Sequence, residues 1–125
     1  MFDYYRPQPT IACPVCGAPI SEWQGNDGPC GLFVWEQGSA APIDQVASLD
    51  VRLDTASLQR VRLPPLFLIR ARCCSPNFSV EAVGRAHHGV WDTTTVTTAA
   101  NATQHKEETR AAFAARLKWL SDAAV

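Results

Sequence analysis

The feature that most constrains this chain is the pentapeptide Cys13-Pro14-Val15-Cys16-Gly17. Two cysteines two residues apart, followed by a glycine, fold into a tight turn that aims both sulfurs at one point, and the glycine relieves crowding where the chain bends back. Backbone amides of such a turn donate to the sulfurs. A closed tetrahedral metal site needs four ligands, so two more must come from elsewhere. Cys30, Cys73 and Cys74 are the remaining cysteines. Five is an odd number, and the opening Met1-Phe2-Asp3-Tyr4-Tyr5 shows no basic region followed by an apolar stretch. The reading is therefore an intracellular, cytoplasmic protein whose cysteines bind metal or pack in the core instead of forming a disulfide framework.

Residues 13–17 resemble the zinc-ribbon proteins with rubredoxin-like knuckles, whose pattern is a Cys-Pro-x-Cys-Gly turn on one hairpin and a second cysteine pair on another. The resemblance implies Zn2+ as cofactor, a non-catalytic scaffold and a β-sheet built on the knuckle. Where the family has its second pair, this chain reads Cys73-Cys74-Ser75-Pro76-Asn77.

Geometry narrows the ligand choice. If residues 18–36 form a hairpin turning at 25–28, Cys30 lies about seven residues from Cys16, over roughly 20 Å of extended chain. His87 and His88 fall at the far end of the strand that follows Cys74. The expected ligands are Cys13, Cys16, Cys73 and Cys74, with Cys30 or a histidine in reserve as the fourth. Adjacent cysteines in extended chain point to opposite faces, so 73 and 74 need a bulged turn to converge. The competing expectation is that Cys30 and Cys73 are ordinary buried thiols. Zinc is preferred over iron because it needs no redox role.

The rest of the chain reads as one domain, 125 residues being enough for a single core. Residues 1–12 form an extended lead-in that packs through its aromatics. Residues 18–36 read as the hairpin. Leu49, Val51 and Leu53 alternate with charged residues as in a half-buried strand, and Thr55 to Leu63 fits either a short helix or a strand. Leu66 to Cys73 is a strand with Phe67, Ile69, Ala71 and Cys73 on one face and Arg70 and Arg72 on the other. Phe78 to Val83 returns, His87-His88-Gly89 turns, and Val90 to Thr98 is a last strand. Thr103 caps a helix to about Ala123 whose stripe Phe113, Leu117, Leu120 and Ala124 is expected to pack on the sheet, leaving Trp119 off it. The fold class is α+β: an antiparallel sheet on a zinc-ribbon-like knuckle in residues 1–98, with a linker and amphipathic C-terminal helix in 99–125 packed on the same domain.

Function is less constrained. A formal net charge of −1 and 18% charged residues give no global attraction to nucleic acid or membrane, and no apolar run is long enough to span one. Charge is nevertheless uneven, because residues 1–51 set Arg6 against six acids and residues 52–85 carry six arginines against Asp54 and Glu81. Arg70 and Arg72 could grip phosphate or an acidic surface. Aromatic interleaving on that face, as single-strand binders use for base stacking, is not expected. Catalysis is not expected: the Cys-x-x-Cys lacks a βαβ setting, His87-His88 lacks an orienting third group, and no phosphate loop is present. The primary expectation is a metal-stapled protein-interaction module of the adaptor, antitoxin or immunity type. Its expected partner-binding residues are Arg70, Arg72 and Trp119. A nucleic-acid-binding zinc ribbon and a thiol-disulfide redox protein are the alternatives.

Overall fold

The structure, a computed structural model, describes residues 2–29, 32–39, 62–73, 79–98 and 101–123. Its strands are β1 (Asp3–Arg6), β2 (Ile11–Ala12), β3 (Pro19–Ile20), β4 (Trp23–Gly25), β5 (Val34–Glu36), β6 (Leu66–Arg72), β7 (Ser79–His87) and β8 (Val90–Val96), followed by helix α1 (Ala102–Ala123). Among the described residues β2 and β3 form a small two-stranded ladder, and the others form a six-stranded sheet in the order β5-β1-β4-β6-β7-β8. The class is α+β. The sheet is mixed, however, because β1 runs parallel to β5 while its other pairings are antiparallel.

The lead-in causes that difference. Strands β4 and β5 do not pair with each other as the expected 18–36 hairpin requires; β1 inserts between them. Asp3 and Tyr5 are fully buried on one face of β1. A buried carboxylate needs donors, and residues 33–35 supply them: Asp3 accepts from the Phe33 amide at 3.0 Å and from the Trp35 indole at 3.1 Å. That pulls β5 to the outside of β1.

The hairpin β6–β7 follows the sequence pattern closely. Phe67, Ile69 and Ala71 are buried while Arg70 and Arg72 face out. Phe67 pairs with Gly84, where a Cβ would stand 2.3 Å from the ring, so the strand needs a glycine to admit the phenyl group. His88 and Gly89 turn the chain into β8 with positive φ, as the sequence predicts for that turn. The expected strand at Leu49 to Leu53 lies outside the described residues, as does the ambiguous segment 55–63 up to 61; Leu63 is buried.

Inside the curl, Tyr5 packs on Phe67 at 5.5 Å and on Trp91 at 5.7 Å between ring centroids, and stacks towards Trp35 at 6.5 Å. Trp35 and Trp91 belong to β5 and β8, the two edges of the sheet, so the sheet bends until its edges share one core. Gln37 closes the gap between those edges. Its amide donates to the Asp92 carbonyl and accepts from the Thr94 hydroxyl, both at 2.8 Å, while the next amide, Gly38, donates to the Trp91 carbonyl at 2.7 Å.

Helix α1 contacts β6 and β7. Arg85 pairs with Glu108 at 3.0 Å, and the His105 ring lies between Glu81, 2.8 Å from Nε2, and the Thr97 hydroxyl at Nδ1. Ala112 is buried, and so is Val83, whose position in β7 faces away from the aromatic core. Positions 105, 108 and 112 share one helical face. Of the expected stripe, Phe113 is 68% exposed and Leu117 56%, so neither packs there, and Leu120 and Ala124 lie outside the described side chains. Polar anchors set the rotation of this helix, and apolar spacing alone points to the wrong face. The helix starts at Ala102 instead of being capped by Thr103; Asn101 accepts from the Thr98 amide and donates to the Val96 carbonyl, fastening the linker to β8.

Candidate metal centre and basic groove

Cys13 and Cys16 occupy the turn that joins β2 to β3. The ladder Ile11↔Ile20 and Ala12↔Pro19 fixes the two ends, the Cys13 amide donates to the Ala18 carbonyl at 2.8 Å, and the Gly17 amide donates to the Cys13 carbonyl at 2.9 Å. Gly17 has φ +76°, a conformation natural to glycine, which explains the residue behind the second cysteine. Cys13 is buried and Cys16 exposed.

Cys73 directly follows β6 and arrives at the same point. The sulfurs of Cys13, Cys16 and Cys73 all lie within 4.8 Å of one another, and Cys16 Sγ is 3.5 Å from Cys73 Sγ. A zinc–sulfur bond of about 2.3 Å sets tetrahedral S···S edges of about 3.8 Å, so the cluster has the dimensions of such a site. No disulfide joins these three cysteines. Cys73 is pushed up to about 12 from an ordinary 9.0, first by its hydrogen bond to Cys16, then by desolvation, then by Cys13. Crowded thiols resist ionisation because each new negative charge meets the others; a cation among them removes that penalty. The donor set therefore fits a thiolate-bound metal.

Of the four expected ligands, the structure brings three together. Cys74 lies outside the described residues, as does Cys30, and among the described residues no further His, Cys, Asp or Glu joins the cluster. The register of β6 with β7, Arg72↔Ser79 through Leu66↔Arg85, carries His87 to the opposite end of the hairpin from Cys73. His87 and His88 pack edge to face at 4.2 Å.

A second feature lies on the outer face of β1, β4 and β6. A groove of about 810 Å³ runs between Phe2 and Tyr4 on one side and Arg70 and Arg72 on the other, with Gln24 and Asn26 between them. The expectation that this face lacks aromatics is thereby corrected: Tyr4 of β1 and Phe2 just before it, two strands away from the arginines, line the same groove. The side chain of Trp119, the third expected partner-binding residue, lies outside the described set.

Compared with protein-family models, curated proteins and solved structures, the chain matches none of them. No helix among the described residues is long and apolar enough to cross a membrane.

Proposed function

We propose that the protein is a small non-catalytic interaction module in which a zinc ion, held by Cys13, Cys16 and Cys73 with Cys74 as fourth ligand, staples the front of the chain to its middle. The single observation that carries this reading is the convergence of thiols 57 positions apart in sequence. When bound, the ion supplies a cross-link and no reaction step. A redox role is disfavoured on chemical grounds. An attacking cysteine of a Cys-x-x-Cys pair commonly sits at a helix N-terminus, whereas the Cys13–Cys16 turn leads into strand β3. The Thr97–His105–Glu81 chain has the order of a nucleophile, base and orienting acid, but the space beside it holds about 10 Å³, no more than one water, and the chain serves to dock the helix.

In this reading the partner is another protein, met by the helix through the exposed Phe113 and Leu117. Elemental analysis of protein purified without chelator is expected to find close to one zinc per chain, and Cys16→Ser or Cys73→Ser to lose it. A folded preparation that carries no metal and takes up none when zinc is added would end the staple. A stoichiometric protein co-purifying with the wild type and lost with Leu117→Asp supports the partner, and capture indifferent to that change counts against it.

A further inference from the structure

We infer that the groove between β1 and β6 binds single-stranded nucleic acid, with phosphates on Arg70 and Arg72 and bases stacked on Tyr4 and Phe2. The inference rests on the protein being a binding module, and it does not depend on the metal.

The sheet register lays out the parts. Tyr4 is opposite Gln24, Gln24 is opposite Arg70, and Arg70 is opposite Glu81, so one rung carries a ring, an amide, a guanidinium and a carboxylate in order. Two strand spacings, roughly 10 Å, separate the ring from the guanidinium at the backbone. One acid, Glu22, lines the groove and is paired with Arg6 at 3.0 Å; Glu81, opposite Arg70 on β7, meets His105 Nε2 at 2.8 Å. Arg70 and Arg72 make no side-chain hydrogen bond or ion pair among the described residues. Two guanidinium groups two residues apart on one strand face, neither in an ion pair among the described residues, offer forked donors to an anion.

The anion arrives with a flat group attached. Phe2 and Tyr4 sit edge to face, 5.3 Å between centroids at 82°, half-buried and therefore already ordered. Such rings provide a stacking platform at little further entropic cost. Gln24 and Asn26 place neutral amides between platform and charge, the position a base edge or sugar would take. An acidic peptide would use the arginines and leave the rings idle. A duplex would keep its bases away from the rings altogether, so the pattern selects single strands.

The test is fluorescence anisotropy of a labelled single-stranded oligonucleotide on the full chain at low salt, repeated across a salt series. Binding is expected to weaken as salt rises, and Arg70→Ala with Arg72→Ala to lower affinity roughly tenfold or more and flatten the log–log slope by about 1.4, two phosphates' worth. Tyr4→Leu, which keeps an apolar side chain, is expected to lose about 5- to 150-fold, the value of one stacked base. Unchanged tryptophan emission and metal content show that each variant is folded. Absence of binding at low salt, indifference to these variants, or displacement by duplex, AMP or polyglutamate as readily as by unlabelled strand would each overturn the assignment. Zinc-binding protein that ignores the oligonucleotide sinks the groove alone, and protein that binds the oligonucleotide but takes up no added zinc sinks the staple alone.

Discussion

Asp3 is the residue on which the N-terminal half is organised. Its carboxylate is fully buried and receives the Phe33 amide and the Trp35 indole, so it joins β1 to β5 and holds one of the core tryptophans in place. Removing it strands buried donors, which costs more than the bonds themselves contribute. Asp3→Ala is expected to lower unfolding free energy by about 2–4 kcal/mol in a denaturant titration followed by tryptophan fluorescence. Asp3→Asn keeps one acceptor oxygen but turns an NH2 group on the second donor, so it should lose nearly as much; a near-neutral Asp3→Ala would mean that the carboxylate is not the organiser. Nothing in Met1-Phe2-Asp3-Tyr4-Tyr5 as a string announces this role, because an acid near a terminus is ordinarily solvated. The donors that change its meaning lie 30 and 32 residues away. By contrast Gly17, at the end of the cysteine turn, is legible locally, since its positive φ follows from the turn itself.

Strands β6, β7 and β8 were readable as elements because each carries its signal within itself: alternation in Leu66–Arg72, and a His88-Gly89 turn before Val90. The partner of β4 was not readable, since pairing is decided by what buries Asp3. Helix α1 shows the same division. Its existence over Ala102–Ala123 follows from sequence, but its rotation follows from His105 and Glu108 meeting Glu81 and Arg85. Substitutions on the two faces should therefore separate. Phe113→Ser is expected to shift unfolding free energy by no more than about 0.5 kcal/mol, while Ala112→Leu, which forces a larger group into the packed face, costs about 1–3 kcal/mol. Thermal unfolding monitored by circular dichroism measures both. A large loss at Phe113 with none at Ala112 would restore the apolar stripe as the packing face.

At the scale of the whole molecule, Gln37 brings the two edges of the sheet together and the thiol cluster ties the β2–β3 turn to the end of β6. The first closure depends on one glutamine between strands and has no sequence signature; the second is legible because the Cys-x-x-Cys spacing requires further thiols to converge on the turn, and Cys73 does. The two closures respond differently to protons. In the metal-free chain the Cys73 thiol is raised to about 12 from 9.0, so its contribution to stability is complete below about 9 and is lost as pH rises towards 12. Zinc reverses this dependence, because thiolates must form before it binds and acid then competes for them. Adding zinc to reduced, metal-free protein near neutral pH is expected to release protons, measurable with an indicator dye in weak buffer. Free zinc at a hundred times its dissociation constant would stabilise the fold by about 2.7 kcal/mol, a rise in Tm of roughly 10 °C for a chain this size. A strong chelator should abolish that rise in the wild type and do nothing to Cys16→Ser/Cys73→Ser, whose Tm already lies at the metal-free value. Zinc that raises the Tm of the double variant equally, or binds the wild type without releasing protons, would show that the ion is held somewhere other than these sulfurs.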